Sequence, residues 1–211
     1  MTDATADARF WDKSARKYAR DTIKDMAGYE RTVMRVQECL KPTDAVLELG
    51  CGTGTTALKL APNVARYVGT DISSEMIAIA VEKLAAEGTG NVGFSVVGSD
   101  ASTWPSGPFD VVAAFSVLHL VPDRPKFLRQ VHGMLKPGGL FVSKTPCLSD
   151  MNRLIRLAVP IAQTFGKAPT VAFFTAAELV SDVAAAGFGI EEEGRHGSTP
   201  NEPRIFIVAR R

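Results

Sequence analysis

Apolar and polar positions follow two periods along the chain, and together they predict alternating strands and helices. Apolar runs of strand length predict strands at residues 45–49, 67–70, 92–97, 109–115, 140–144, 190–193 and 205–209. Apolar residues recurring every three or four positions predict helices at residues 9–40, 55–60, 73–87, 124–135 and 175–186. The alternation predicts an α/β fold whose mostly parallel sheet is covered by helices on both faces.

Two segments depart from this alternation. Residues 9–40 precede the first strand, and we expect Gly28 to divide them into two helices and Pro42 to end the second. Residues 146–174 contain an apolar stretch at 151–165 that Pro160 interrupts. We therefore expect a single domain with an N-terminal helical segment (1–42), a core (43–145), an insertion (146–174) and a C-terminal part (175–211).

Alternating glycines at Gly50, Gly52 and Gly54 separate the first strand from its helix. Glycine permits positive φ angles and a close approach of the backbone to a ligand, so this turn predicts a nucleotide-binding corner. A dinucleotide fingerprint would place a third glycine or alanine where this chain has Thr55, which disfavours an NAD-dependent oxidoreductase.

The pattern Glu48-x-Gly50-x-Gly52-x-Gly54 resembles the first motif of class I S-adenosylmethionine-dependent methyltransferases. Asp71, Asp100 and the segments 109–119 and 135–140 resemble later motifs of that family in the same order, so the similarity covers about residues 45–145. The resemblance implies a Rossmann-like, seven-stranded, mostly parallel sheet with an antiparallel last strand and an N-terminal helical lid. It also implies S-adenosylmethionine as cofactor, S-adenosylhomocysteine as product, and no metal.

The resemblance assigns a cofactor-binding set, in which Asp71 accepts the ribose hydroxyls and Asp100 the adenine amino group. The whole set is Tyr18, Glu48, Gly50, Cys51, Gly52, Gly54, Asp71, Ile72, Met76, Asp100, Ala101, Phe115 and Ser116. A solvated helix cap at Asp71 and a turn residue at Asp100 are the alternatives.

Methyl transfer in this family is a direct in-line displacement, so the protein mainly positions the reactants. His119, in the loop after the fourth strand, is the candidate general base, or else it shapes the pocket wall. Expected substrate contacts are Trp11, His119, Phe165 and Phe174, and the apolar insertion favours a small, partly apolar acceptor.

The N-terminal helix has three interpretations. Its aromatic residues Phe10, Trp11 and Tyr18 suit a lid over the cofactor. Its five basic residues, Arg9, Lys13, Arg16, Lys17 and Arg20, suit an anionic membrane surface. It can also simply pack on the sheet edge.

Composition narrows the function further. A net charge of +1 gives no basic field for nucleic acid, and three widely spaced cysteines indicate neither disulfides nor a zinc site. Without a recognisable signal peptide or membrane span, we expect a cytoplasmic enzyme. A regulatory protein that binds the cofactor without transferring a methyl group, and a membrane-associated lipid or quinone methyltransferase, remain the alternatives.

Overall fold

The strands form one sheet in a computed structural model that describes residues 4–88, 90–98, 101–151, 154–164, 166, 168–199 and 203–211. They are β1 (Ala45–Leu49), β2 (Arg66–Asp71), β3 (Val92–Val96), β4 (Phe109–Phe115), β5 (Leu135–Pro146), β6 (Gly189–Gly194) and β7 (Arg204–Arg210). Their order is β3-β2-β1-β4-β5-β7-β6. The first five run parallel, and β7 is antiparallel to both β5 and β6. The expected Rossmann-like sheet with an antiparallel last strand is confirmed.

Helices cover both faces of this sheet. They are α1 (Ala4–Arg20), α2 (Met26–Cys39), α3 (Thr55–Leu60), α4 (Ser74–Glu87), α5 (Arg124–Met134), α6 (Leu154–Thr164) and α7 (Ala176–Ala185). Successive residues of β1 point to opposite faces, as in any strand. Leu47 joins the core under α5 and α7, whereas Val46 joins the core under α2 and α3. No helix in the described ranges is both long and apolar enough to cross a membrane.

The break between the first two helices does not lie at Gly28, so that prediction was wrong. Helix α1 ends at Arg20, and Asp25 caps α2 by accepting a hydrogen bond from the Gly28 backbone N–H at 3.0 Å. A Cβ atom on Gly28 would lie 2.7 Å from the His196 carbonyl oxygen. Glycine is therefore needed inside α2 because another backbone segment approaches it closely.

One strand boundary differs from expectation. Strand β5 begins at Leu135 rather than residue 140, with a register shift between Phe109 and Val111 of its partner strand. Leu135 pairs with Phe109 and Leu140 with Val111, so residues 136–139 lie in an irregularity between two paired positions. In the insertion, α6 continues through Pro160.

A buried carboxyl group lies in β1. Glu48 is 2% exposed, and the Tyr67 hydroxyl donates a hydrogen bond to its Oε2 atom at 2.8 Å. Burial raises the pKa of Glu48 to about 7, and the negative charge of Asp71 acts in the same direction. The Tyr67 hydrogen bond opposes this shift because it stabilises the ionised form.

Helix α1 is attached to the start of α4. Ala15 is fully buried against Met76 and Ile79. Asp12 accepts hydrogen bonds from the Ser73 hydroxyl at 2.7 Å and from the Glu75 backbone N–H at 3.1 Å. The Asp12 carboxylate thus satisfies donors in the first turn of α4, where a negative charge is also favoured by the helix dipole.

Replacing Asp12 with Ala should weaken this attachment. The lost contacts resemble those of a helix cap, so we expect the free energy of unfolding to fall by about 1–2 kcal/mol. Proteolysis between α1 and α2 should become faster. Lys13→Ala, at an exposed position of the same helix, is the control. Equal proteolysis and stability of the two variants would contradict the docking role of Asp12.

Glu48→Gln should change how stability depends on pH. The folded pKa of Glu48 lies above its ordinary value of 4.5, so the folded protein holds a proton that the unfolded chain releases. Wild-type stability should therefore fall as pH rises from 4.5 to about 7. A glutamine at this position cannot ionise. The free energy of unfolding of the variant, relative to that of the wild type, should therefore rise by about 3 kcal/mol between pH 4.5 and pH 7.

Urea denaturation of both proteins at several pH values measures this difference. Glu30→Gln, at an exposed position of α2, is the control and should follow the wild type. A stability difference that stays constant with pH would show that Glu48 does not titrate in this range.

Candidate cofactor-binding site

A cavity of about 740 Å³ opens at the carboxyl ends of β1, β2 and β4. This is the edge where ligands bind in open parallel sheets. Ten of the residues expected at the site line it: Trp11, Tyr18, Gly50, Gly52, Asp71, Ile72, Met76, Phe115, Ser116 and His119. The structure therefore brings most of the predicted cofactor and substrate contacts to one place.

The glycine turn forms the floor of this cavity, and its glycines serve different purposes. Gly50 has φ +72°, and a Cβ there would lie 2.2 Å from the Cγ2 atom of Val117. Around Gly52, with φ +54°, the nearest atom to an added Cβ is Cε1 of Tyr18 at 4.0 Å. Gly50 is thus required by packing, whereas Gly52 leaves its backbone open towards the cavity.

Gly54 and Cys51 do not line the cavity. A Cβ on Gly54 would lie 2.8 Å from the Phe94 ring and 2.9 Å from Ala80, so this glycine permits close packing of the turn on β3 and α4. Cys51 is buried, and burial raises the pKa of its thiol. Its backbone N–H donates to the Thr70 carbonyl oxygen at 2.8 Å, which joins the turn to the end of β2.

Asp71 holds the glycine turn and the start of α4 together. Its Oδ2 atom accepts from the Gly52 backbone N–H, and its Oδ1 atom from the Ser73 backbone N–H, both at 2.9 Å. Burial raises the pKa of Asp71, while these hydrogen bonds lower it. Each carboxylate oxygen can accept a second hydrogen bond, so the side chain suits a pair of ligand hydroxyls.

Glu48 lies beneath the glycine turn. Its carboxyl group bonds to Tyr67 and is absent from the cavity lining. Direct contact with a cofactor, as expected from the sequence, does not fit this position. The reason is the direction of the side chain, which points to the face of the sheet where Val46 and Tyr67 are buried.

The adenine end of the predicted site is described only in part. Asp100 lies outside the described residues, and Ala101 begins a short 3-10 turn that ends at Thr103. Beside this turn, the Trp104 indole N–H donates to the Gly98 carbonyl oxygen at 3.1 Å, and its ring packs edge-on against Phe127 at 5.2 Å. Both aromatic residues line the cavity.

Helix α1 forms one wall. Trp11 and Tyr18 line the cavity, with their ring centroids 6.4 Å apart in an edge-on arrangement. Arg16, one of the basic residues of this helix, forms paired hydrogen bonds with Glu82 of α4, each 2.9 Å long. The helix is therefore placed as the lid interpretation requires and packs on α4 rather than on the sheet edge.

The β4 end carries a strained residue and a buried histidine. Ser116 has φ +56°, which is uncommon for a residue with a side chain and occurs preferentially at functional sites. His119 lies in the following 3-10 turn, and its Nδ1 atom is buried without a hydrogen-bond partner among the described residues. Burial, followed by the positive charge of Arg204, lowers the pKa of His119 to about 4. The imidazole is therefore neutral at neutral pH.

Two expected substrate contacts are not found at the cavity. Phe174 is 2% exposed and packs in the core, where the guanidinium carbon of Arg124 lies 3.9 Å from its ring centroid. This position corrects the expectation that it touches substrate. It results from the backbone bond between the Ser149 N–H and the Phe174 carbonyl, which holds the residue beside the core. Phe165 lies outside the described residues.

Sequence reasoning missed Arg204, which lines the cavity at the start of β7. Because β7 is antiparallel to β5, its first residue pairs with Pro146 at the carboxyl end of β5. The direction of the last strand was the signal that could have identified Arg204. An antiparallel last strand starts at the edge where the parallel strands end.

Comparisons with known proteins agree with this architecture. A model of the methyltransferase domain family matches residues 11–193. The ubiquinone/menaquinone biosynthesis C-methyltransferase UbiE of Hydrogenovibrio crunogenus is 34% identical over 104 residues, which are 47% of this chain and 41% of that protein. YcgJ of Bacillus subtilis, an uncharacterised methyltransferase, is 30% identical over 135 residues, 61% of this chain and 53% of that protein. The chain thus spans about half the length of these relatives.

A solved structure shares the fold over nearly the whole chain. The magnesium protoporphyrin IX methyltransferase of Synechocystis, solved with bound S-adenosylhomocysteine, superposes with a TM-score of 0.73 at 20% identity. The superposition covers 99% of this chain and 100% of that one. From the family match over most of its length, the chain belongs to the methyltransferase domain family.

Proposed function

We propose that this protein transfers the methyl group of S-adenosylmethionine to a small, partly apolar acceptor. The observation that carries the proposal is the Asp71 carboxylate, fixed by two backbone N–H groups beside an open glycine turn. The cavity is of ordinary size for a small-molecule site, about 300–1,000 Å³. Family membership supports the choice of cofactor.

The residues at the floor fit the cofactor. The Asp71 oxygens have capacity for the two ribose hydroxyls, and the buried Met76 and the neighbouring Ile72 provide apolar surface beside them. The Tyr18 hydroxyl is assigned to the methionine carboxylate, opposite the open side of Gly52. Bound there, S-adenosylmethionine supplies an activated methyl group that an acceptor can displace in line. The chain's own contribution is to orient both molecules and exclude water.

The acceptor would occupy the part of the cavity near His119. Apolar surface of the cavity comes from Trp11, Leu120, Val121 and Pro146, and Arg204 adds a positive charge that lowers the pKa of His119. His119 also lines the cavity, and although its Nδ1 atom is buried, its neutral imidazole ring can accept one hydrogen bond there. A molecule with an apolar body and one hydroxyl or amine group satisfies both features, and the quinone-pathway relative UbiE supports an acceptor of this kind.

His119 is better suited to orienting this group than to removing its proton. A pKa of about 4 makes the imidazole a weak base, although it remains a good hydrogen-bond acceptor because it is neutral. We therefore assign His119 to the positioning of the acceptor's O–H or N–H group.

The activity is tested with S-adenosylmethionine labelled in its methyl group. Incubation with a small-molecule extract, and separately with simple phenols as probes, should transfer label to an extractable product. Binding of S-adenosylhomocysteine without any transfer would instead support a cofactor-binding regulatory protein. Absence of both binding and transfer would refute the proposal.

Asp71→Asn should weaken S-adenosylhomocysteine binding by about tenfold or more, because a charge-assisted pair of hydrogen bonds is lost. Calorimetry with S-adenosylhomocysteine and with its analogue lacking both ribose hydroxyls isolates the contact. Wild type should lose affinity for the analogue, whereas the variant should bind the two ligands about equally. Equal losses in both proteins would remove Asp71 from the ribose site, even if the variant were less stable.

His119→Ala should lower kcat by about tenfold or more while leaving S-adenosylhomocysteine affinity nearly unchanged, because a positioning contact to the acceptor is lost. His119→Gln should recover part of the rate, since its side-chain oxygen can accept a hydrogen bond. His132→Gln, on α5 and away from the cavity, is the control.

The pH profile distinguishes the orienting role from that of a base near neutrality. Wild-type kcat should show no His119-dependent limb near pH 6.5 because this residue titrates near pH 4. A limb near neutrality that His119→Gln abolishes would contradict the assigned role.

A further inference from the structure

The acceptor end of the cavity carries a basic side chain that methyl transfer does not itself require. Arg204 begins β7, lines the cavity and is exposed. In the antiparallel register it pairs with Pro146, the last residue of β5, which also lines the cavity. The sheet therefore holds the Arg204 backbone at the same edge as the glycine turn and the turn that contains His119.

The charge of Arg204 acts on two polar side chains of the cavity wall. It lowers the pKa of His119, where burial is the larger cause. It also opposes a rise in the pKa of Tyr18, which comes first from burial and then from the charges of Asp71 and Glu48. Arg204 is therefore close to the space between His119 and Tyr18, where the acceptor would meet the cofactor.

The carboxylates of the cavity lining have donors of their own. Among the described residues they are Asp7, Asp71 and Asp123. Each accepts a hydrogen bond from a backbone N–H group. The pKa of His119 responds to the charge of Arg204 but to none of these three carboxylates. The described surroundings of His119 thus have a positive potential, which an anionic group of a ligand would balance.

The second basic residue of the described lining stands elsewhere. Lys126 directly precedes Phe127, whose ring packs against Trp104 at the end of the cavity assigned to adenine. A positive charge at the acceptor end therefore comes from Arg204. Its guanidinium group has five N–H donors in a planar fork that matches two oxygen atoms of a carboxylate or phosphate. Contacts with neighbouring protein groups leave donors for such a ligand.

The sheet also sets the distance between the two polar ends of an acceptor. Strand β7 lies two strands from β4, whose following turn contains His119, and neighbouring strands are about 4.8 Å apart. The start of β7 is thus roughly 10 Å from the end of β4 across the sheet. A ring with a nucleophilic group on one side and an anionic group on the other can contact His119 and Arg204 together.

We propose that the methyl acceptor carries an anionic group, a carboxylate or a phosphate, which Arg204 binds while His119 holds the nucleophilic O–H or N–H group. The inference rests on the proposed function, because it names the chemical class of the acceptor at the same site. It concerns binding and adds no chemical step. The positive sulfonium of a bound cofactor favours the same class, since opposite charges attract strongly in a partly enclosed site.

The carboxylate of the cofactor is the other anion that Arg204 has to be tested against. Strand β7 lies three strands from β1, whose glycine turn faces the methionine end, but only two from β4. This order places Arg204 closer to the acceptor side. The two sources of the anion predict different results for the same variant, so one set of titrations separates them.

Calorimetry on the full chain saturated with S-adenosylhomocysteine tests the proposal. The probes are 4-hydroxybenzoate and 6-hydroxy-2-naphthoate, each paired with its neutral carboxamide, and phenyl phosphate paired with phenol. At least one anionic probe should bind the wild type about tenfold or more tightly than its neutral partner, because a charge-assisted pair of hydrogen bonds forms. The pair with the larger difference identifies the anion as carboxylate or phosphate.

Arg204→Gln should abolish this preference and leave the affinity for the neutral probes within about twofold of the wild type. Arg204→Lys should retain part of it, since the charge remains but the planar fork is lost. Arg129→Gln, which removes a positive charge at an exposed position of α5 outside the cavity, is the control and should keep the full preference. The thermal midpoint of Arg204→Gln should match the wild type because the side chain is exposed.

Three results would overturn the inference while leaving the proposed function intact, provided that S-adenosylhomocysteine binds the wild type. One is the absence of any preference for anionic probes, and another is a preference that survives in Arg204→Gln. The third is a tenfold loss of S-adenosylhomocysteine affinity in Arg204→Gln that its decarboxylated analogue does not show, which would assign Arg204 to the cofactor's carboxylate. A wild type that fails to bind S-adenosylhomocysteine would refute the proposed function and this inference with it.

Discussion

The hydrogen bonds of Asp71 are the contacts on which the candidate site depends. A partly buried carboxylate is unfavourable unless donors surround it, and here the Gly52 and Ser73 backbone N–H groups supply them. The same bonds fix the glycine turn after β1 relative to the start of α4. Since burial and backbone donors shift the pKa of Asp71 in opposite directions, further hydroxyl donors from a ligand would stabilise the ionised side chain.

The carboxylate of Asp12 connects the hydrogen bonds of Asp71 to helix α1, which forms a wall of the cavity. Ser73 follows the segment that Asp71 holds, and its hydroxyl donates to Asp12 of α1 while accepting from the Met76 backbone N–H. Floor and lid are therefore linked through the first turn of α4, with three successive polar contacts between Gly52 and α1. Trp11 and Tyr18 keep their places in the wall because their helix is attached at this point.

The sequence was informative where function depends on neighbours along the chain. Gly50 and Gly52 lie in the turn after β1, and Asp71 ends β2, so the positions of the strand ends alone placed them at one sheet edge. It was less informative where tertiary packing decides. From the sequence, Gly28 was expected to break a helix, but the structure shows that it permits the close approach of the His196 carbonyl oxygen. Likewise, Phe174 was expected in the pocket, but it packs in the core. Arg204 required knowledge of the direction of β7.

Burial around His119 limits the chemistry that the cavity can support. The surroundings that exclude water also lower the pKa of the imidazole, and the charge of Arg204 lowers it further. Such a site can position the acceptor precisely, but its histidine is a weaker base. Methyl transfer from a sulfonium can proceed with a weakly basic histidine, because the leaving group is already activated and alignment of the acceptor supplies much of the rate enhancement. A weakly basic histidine is therefore compatible with catalysis as long as the acceptor group is itself nucleophilic.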